Sequence, residues 1–320
     1  MSLPEQVAIR CDGLRKTYGR LEALKGLDLT VASHSIFGLL GPNGAGKSTT
    51  IKLLTRQIAP TAGRAWVVGV PITGQAVDVR SRIGYLSEQP AFYPWMSGRE
   101  FLDFIGELFG LRPGGVRRQR SDELLELVGL TGADRRKIGG YSHGMRQRLG
   151  IAQALINQPE VLILDEPISA LDPIGRKEIL ELLAGLKGQS TVFFSSHILA
   201  DVDRICDEIA VLQSGVLLAQ APTQALKERY AQPIITIELE TDANVLVSLL
   251  GRESYVQAVE VKGAEARVLV TDLALAKRCL PECLVNAHLP LLRYEVALPT
   301  LEDVFVRLID KETAPSGEPA

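Results

Sequence analysis

The chain has 320 residues, 46% of them hydrophobic, with a formal net charge of −3 and a pI near 5.9. That length accommodates two domains and a substantial buried core. The net acidity argues against a broad nucleic-acid-binding surface, which needs Lys and Arg to neutralise phosphates. Residues 1–6 carry no basic segment followed by an apolar core, so no signal peptide is expected. No apolar run approaches about 18 residues, so no segment is expected to span a membrane by itself. Cys11, Cys206, Cys279 and Cys283 read as reduced thiols. Cys279 and Cys283 with His288 are loosely spaced and lack a fourth ligand, which favours ordinary packing over a metal site.

Residues 7–11 and 27–31 are predicted strands of an antiparallel edge layer, with Lys16-Thr17-Tyr18-Gly19 as a turn between them. Residues 36–40 form a short uninterrupted apolar run, predicted as a buried strand. Gly41-Pro42-Asn43-Gly44-Ala45-Gly46-Lys47-Ser48 follows, then Thr49, and fits the phosphate-loop pattern G-x-x-x-x-G-K-[ST]. Ile51, Leu54 and Ile58 then recur at helical spacing until Pro60. Strand, glycine loop and helix are the context that this motif requires. Residues 64–68 and 82–86 are further strand candidates, and Pro90 ends the second of these runs after Ser87-Glu88-Gln89.

From about residue 90 to 158 the pattern turns helical and suggests an inserted subdomain. Phe101, Phe104, Ile105 and Leu108 share one face before Gly110, and Leu124, Leu125 and Val128 repeat it before Gly129. A third helix is expected from an N-cap at Ser142, with Met145, Leu149, Ala152 and Ile156 inward. Arg117, Arg118, Arg120, Arg135, Arg136 and Lys137 read as a solvated face, with an acidic partner or lipid headgroups as the alternative. Residues 161–164 are a buried parallel strand ending in Asp165-Glu166-Pro167, where ligands of open α/β sheets sit. Asp172-Pro173 opens a helix as N-cap and first residue, with Ile179, Leu182, Leu183 and Leu186 inward. Residues 191–194 form the next buried strand, leading into Ser195-Ser196-His197. A hairpin around Ser214-Gly215 closes this first domain near residue 230.

Residues 231–312 read as a separate small α+β domain. A strand with Ile235, Ile237 and Leu239 inward comes first, then a helix with Val245, Leu246 and Leu249. Strands at 255–261 and 266–271, a helix at 273–280 and a strand at 292–296 complete a β-α-β-β-α-β order, the ferredoxin-like arrangement. Thr300-Leu301-Glu302-Asp303 is expected to cap a last helix bearing Val304, Phe305 and Leu308. Residues 313–320 are expected to be disordered.

The phosphate loop makes nucleoside triphosphate binding the leading chemistry. Its glycines let backbone N–H groups turn toward an anion, and the helix start adds its positive end. Lys47 suits the β- and γ-phosphates and Ser48 suits Mg²⁺. Asp165 is placed to hold the metal, and Glu166 to polarise a water.

With those motifs in order, residues 5–225 resemble the nucleotide-binding subunit of an ATP-binding cassette (ABC) transporter, a P-loop NTPase of the α/β class. The resemblance makes Gly41–Ser48 its Walker A loop, including Asn43, Gly44, Gly46 and Lys47, and makes residues 162–165 its Walker B strand. It implies that Glu166 is the catalytic glutamate. It also implies that Gln89 contacts Mg²⁺ and the attacking water, that His197 is the switch histidine and that Tyr18 stacks on adenine. Ser169-Ala170-Leu171-Asp172 resembles the D-loop. Tyr141-Ser142-His143-Gly144-Met145 resembles the signature sequence Leu-Ser-Gly-Gly-Gln, keeping Ser142 and Gly144 but carrying His143 and Met145. A head-to-tail pair with two ATP at the interface, and a separate transmembrane permease, are what the resemblance implies. Residues 297–305 are similar to the closing segment of bacterial two-gene exporter ATPases, which implies a place on the cytoplasmic face of the membrane. The rival reading is a soluble ABC-type ATPase of translation or DNA repair. The single phosphate loop, and the lack of long heptads or zinc cysteines, weigh against it. A ligand-sensing role for the C-terminal domain is compatible with the exporter reading.

Overall fold

The computed structural model describes residues 7–73, 79–112, 114–169, 171–230, 233–297, 300–305 and 308. Ala170, Pro299 and the expected disordered tail lie outside the described residues. The chain divides into two units, Met1–Thr223 and Gln224–Ala320.

The first unit begins with two long antiparallel strands, β1 (Val7–Tyr18) and β2 (Leu21–Ala32), followed by β3 (Ile36–Leu40) and α1 (Lys47–Leu54). Next come β4 (Ala62–Val67), β5 (Val70–Pro71) and β6 (Ile83–Leu86). Three helices follow, α2 (Gly98–Leu108), α3 (Gly115–Leu127) and α4 (His143–Leu155). The unit continues with β7 (Val161–Leu164), α5 (Pro173–Gly185), β8 (Thr191–Ser196), α6 (Leu199–Ile205), β9 (Glu208–Gln213) and β10 (Val216–Pro222).

Two sheets result. One is antiparallel with order β2-β1-β4-β5, and the other has order β10-β9-β3-β8-β7-β6. In the second, β9, β3, β8, β7 and β6 run parallel and β10 pairs antiparallel at the edge. Parallel strands covered on both faces are largely apolar; β3, β7 and β8 are buried at every position, and β8 carries polar residues only at its ends, Thr191, Ser195 and Ser196. The core between the sheets takes Ile9, Leu14, Leu27, Phe37, Ile51, Leu54, Ile163 and Phe193, all 0% exposed. Phe37 and Phe193 stack with ring centroids 5.6 Å apart. Burial in this core also pushes the Cys11 thiol well above its ordinary pKa.

Helix α2 starts at a reciprocal capping box. The Glu100 N–H donates to Ser97 Oγ at 3.2 Å and the Ser97 N–H to Glu100 Oε2 at 2.7 Å. The Ser97 backbone bond, with Lys137 nearby, holds the Glu100 carboxyl down at about 2. The expected basic face is partly tied down, since Arg117 pairs with Glu107, Arg120 with Glu123 and Lys137 with Glu100.

Helix α7 (Thr223–Tyr230) begins at the last residue of the first unit, and the second unit continues with β11 (Ile234–Leu239), α8 (Val245–Leu250), β12 (Val256–Lys262), β13 (Glu265–Val270), α9 (Leu273–Asn286) and β14 (Leu291–Ala297). The four strands β11 to β14 form an antiparallel sheet of order β12-β13-β11-β14. The β-α-β-β-α-β order is therefore present, with the first strand central and the fourth beside it. Ile235, Ile237, Leu246, Val268 and Leu280 build its core. Cys279 and Cys283 pack half-buried against that core, and the Tyr255 hydroxyl is 4.0 Å from the Cys283 sulfur.

Thr300 and Asp303 cap the last described helical turn. The Thr300 N–H donates to Asp303 Oδ2 at 2.9 Å and the Asp303 N–H to Thr300 Oγ1 at 3.3 Å. Asp303 also takes two contacts from Arg267 Nη2, at 3.0 and 3.2 Å. Burial acts to raise the Asp303 pKa, and the Thr300 and Arg267 hydrogen bonds outweigh it, leaving a net lowering. A carboxyl lowered on folding stabilises the fold above its unfolded pKa and loses that contribution as pH falls through the folded one. Asp303→Asn should therefore cost about 1 kcal/mol at neutral pH, with the deficit shrinking below pH ~4. Calorimetry of both chains across pH 3–7 checks this; a deficit that grows on acidification would contradict it.

Several sequence expectations shift. Lys16, Thr17 and Tyr18 belong to β1, and the turn is reduced to Gly19-Arg20, because the ladder extends to Tyr18 opposite Leu21. Leu108 is 68% exposed at the end of α2, and Leu102 is buried instead. Leu180 is buried while Leu182 is half-buried, which rotates the inner face of α5. Met145 is likewise half-buried, and Gln147 takes a buried place on α4. Helix α9 continues through Pro281 to Asn286. The lost backbone bond is outweighed there by the burial of Leu280 and Leu284 on either side.

Candidate functional site

The phosphate loop leaves β3 at Leu40 and enters α1 at Lys47, so the N–H groups of the helix start converge on one place. Two glycines are sterically required. A Cβ on Gly41 would lie 2.2 Å from Leu212 O, and one on Gly46, at φ +109°, would lie 2.9 Å from Ala23 O. Asn43, Gly44, Gly46, Lys47, Ser48 and Thr49 line a cleft of about 330 Å³ together with Tyr18, Glu166 and His197. Tyr18 is 44% exposed at its edge, with Lys16 Nζ 5.0 Å from its ring centroid.

Inside the cleft the charged groups form one network. Lys47, 6% exposed, donates to Gly41 O at 2.7 Å and lies 3.3 Å from Glu166 Oε1. The other Glu166 oxygen, Oε2, is 2.9 Å from His197 Nδ1. With Glu166 ionised, Nδ1 must be the donor, which leaves Nε2 of a neutral ring as an acceptor. Ser48 Oγ donates to Asp165 Oδ1 at 3.2 Å. These two oxygens at the end of β7 and the start of α1 fit Mg²⁺, which takes a few oxygen ligands and keeps its waters. A buried cation facing an anion-shaped loop fits a polyphosphate.

Glu166 itself has φ +48°, an uncommon conformation for a residue with a side chain. Such strain persists where neighbours over-determine it. The Glu166 N–H donates to Ser195 Oγ at 2.9 Å, and Ser169 Oγ donates to Glu166 O at 3.1 Å.

Other expected site residues stand elsewhere. Gln89 is exposed, and Glu88 is the residue of that segment that lines the cleft. Ser142 caps α4, accepting from the Met145 N–H at 3.2 Å. Gly144 approaches Leu171, whose Cδ2 would be 3.4 Å from an added Cβ. Asp172 caps α5, accepting from the Gly175 N–H at 3.0 Å. None of Ser142, Gly144 and Asp172 lines the cleft.

Two residues carry contacts that motif reading passed over. Ser195, 0% exposed, donates to Asp165 Oδ1 at 2.7 Å besides accepting from Glu166. Gln147, 3% exposed, donates to Pro167 O at 2.9 Å and so ties α4 to the turn after Glu166. The sequence marked Ser195 only as a hydroxyl at the end of an apolar strand.

Residues 24–169 match the family described as ABC transporter, and residues 222–309 match the ATP-binding protein DrrA1-3-like C-terminal domain. An uncharacterized ABC transporter ATP-binding protein of Bacillus subtilis is 38% identical over 93% of this chain and 98% of its own length. A bacitracin transport ATP-binding protein of Bacillus licheniformis is 35% identical over 94% of this chain and 97% of its own. A daunorubicin resistance ATP-binding protein of Streptomyces coeruleorubidus is 37% identical over 94% and 95%. Among solved structures, cbiO1 of Clostridium perfringens, part of the transporter complex cbiONQ, aligns with a TM-score of 0.64 and 27% identity over 69% of this chain and 91% of that one. A dimeric ATP-binding cassette in a post-hydrolysis state with ADP and Pi aligns at 0.61 and 25%, over 67% and 98%.

Proposed function

This chain belongs to the ABC transporter ATP-binding family and is an ATPase of that family; on that premise, we propose that it works as one of two head-to-tail subunits that power a separate membrane-spanning exporter. The observation that carries the reading is the single network joining Lys47, Glu166 and His197, with Ser48 and Asp165 beside it. In this reading Lys47 and the loop N–H groups of residues 41–49 hold the β- and γ-phosphates of ATP. Ser48 and Asp165 hold Mg²⁺, which supplies neutralisation of phosphate charge when bound. Glu166 orients the water and takes its proton, while His197 holds the Glu166 carboxylate in place. Gln89, on the exposed segment beside the cleft, approaches metal and water on closure, and Tyr18 stacks on adenine.

Because Ser142, Gly144 and Asp172 stand away from their own chain's cleft, they are free to complete the cleft of a second copy. The N-terminus of α4, 13 residues long, then presents Ser142 and Gly144 to the γ-phosphate. ATP acts as a removable interface ligand, closing the pair when bound and releasing it after hydrolysis. Among the described residues no helix is long and apolar enough to cross a membrane, in keeping with a partner that supplies the pore. The names of the bacitracin transport and daunorubicin resistance relatives support export of a drug or antibiotic, with this subunit on the cytoplasmic membrane face.

Shared sites give a direct test. Lys47→Ala and Ser142→Arg chains should each be inactive alone. A 1:1 mixture should recover about a quarter of wild-type ATPase activity, because half the pairs retain one intact site. No recovery on mixing would mean that each site is built within one chain.

A further inference from the structure

We propose that Ser195 is a positioning residue for ATP hydrolysis, a hydroxyl bridge that fixes the metal-holding and water-orienting carboxylates relative to each other. The inference rests on the functional reading above and assigns a residue outside its motifs. Ser195 lies near the end of β8, and β8 pairs in parallel with β7, the strand that leads into Asp165 and Glu166. Its side chain therefore meets the start of that turn from the neighbouring strand.

The hydroxyl has one proton and two lone pairs, and the geometry uses both capacities. Ser195 Oγ donates to Asp165 Oδ1 at 2.7 Å. It accepts the Glu166 N–H at 2.9 Å. All three groups are at most 6% exposed, so water does not substitute readily for either bond. The accepted N–H belongs to the residue whose φ is +48°. Without an acceptor, that N–H would be buried and unpaired, and the strained conformation would lose a restraint. Extended conformations at residue 166 would re-aim its side chain away from Lys47 and His197.

The donated bond has a second effect. Asp165 Oδ1 accepts from both Ser48 and Ser195. With Mg²⁺ held by Ser48 and Asp165, the Ser195 bond would still fix that oxygen's orientation. One side chain thus restrains the metal end and the water end of the site. The adjoining Ser196 makes a different contact, accepting from the Ile198 N–H at 3.0 Å, and does not duplicate the bridge.

The test compares Ser195→Ala with Ser195→Thr, which keeps the hydroxyl. Ser195→Ala should lower kcat about 10- to 100-fold, the range for one lost hydrogen bond to a charged group, with the KM for ATP changed less than about threefold. Amide hydrogen exchange of the ligand-free chain supplies a readout independent of turnover. The peptide containing Glu166 should exchange at least about tenfold faster in Ser195→Ala and near wild type in Ser195→Thr. Mn²⁺ affinity in the presence of a non-hydrolysable ATP analogue should fall in Ser195→Ala and recover in Ser195→Thr. Wild-type kcat in Ser195→Ala would overturn the positioning role while leaving the ATPase reading intact. Equal losses in kcat, KM and thermal stability in both variants would also overturn it, as the mark of packing damage. Absence of turnover in the wild type would instead contradict the functional reading, and the exchange data would still decide whether the bridge restrains Glu166.

Discussion

Glu166→Gln should bind ATP with near wild-type affinity and hydrolyse it about 10²- to 10⁴-fold more slowly. That range is what a positioned general base contributes. The amide keeps the shape and the hydrogen bond to His197 but cannot take a proton from water. Because hydrolysis is what opens the proposed pair, the variant should accumulate as an ATP-bound dimer, visible as a doubled mass in sedimentation. Wild-type turnover in Glu166→Gln would assign the water to another group. A slow variant that stays monomeric with ATP would separate the chemistry from the proposed dimer.

Lys47→Ala should weaken ATP binding by about 100-fold or more. Truncating one partner of a buried, hydrogen-bonded charge pair costs on the order of 3 kcal/mol, and each 1.4 kcal/mol is tenfold in affinity. The ligand-free chain should lose less stability than an orphaned buried carboxylate would suggest, since Glu166 keeps His197 at 2.9 Å. Titration with a fluorescent ATP analogue, alongside a melting curve, checks both expectations. Unchanged affinity in a folded variant would remove Lys47 from the cradle.

Lys47 was singled out in the sequence because a phosphate loop is local, and Glu166 because it follows Asp165 at the end of an uninterrupted apolar run. The loop's glycines, lysine and serine act through spacing within one turn, and the flanking apolar runs declare the strand and helix. The parallel strands were equally visible, since burial on both faces forbids polar interruptions in β3 and β7. The strand and helix order of the second unit was legible for a similar reason, through the alternation of Ile235, Ile237 and Leu239.

What stayed hidden depends on contacts distant in sequence. Ser195 meets Asp165 across 30 positions and Gln147 meets Pro167 across 20. No local pattern marks either as more than a polar residue near an apolar run. Helix faces were legible to within one residue of rotation. Leu108 was expected inward and is exposed, while Leu180 is buried outside the expected face, because the neighbouring elements, and not the period alone, decide which flank is covered. The helix expected over 273–280 runs on through Pro281 to Asn286, where Leu280 and Leu284 are buried on either side.

The most direct test of the central claim is recovery of the membrane partner. Tagged Glu166→Gln, loaded with ATP, should capture one polytopic membrane protein from detergent-solubilised membranes of the source cell, and ADP should release it. Recovery of ribosomes or nucleic acid without a membrane protein would keep the ATPase chemistry and contradict its assignment to transport.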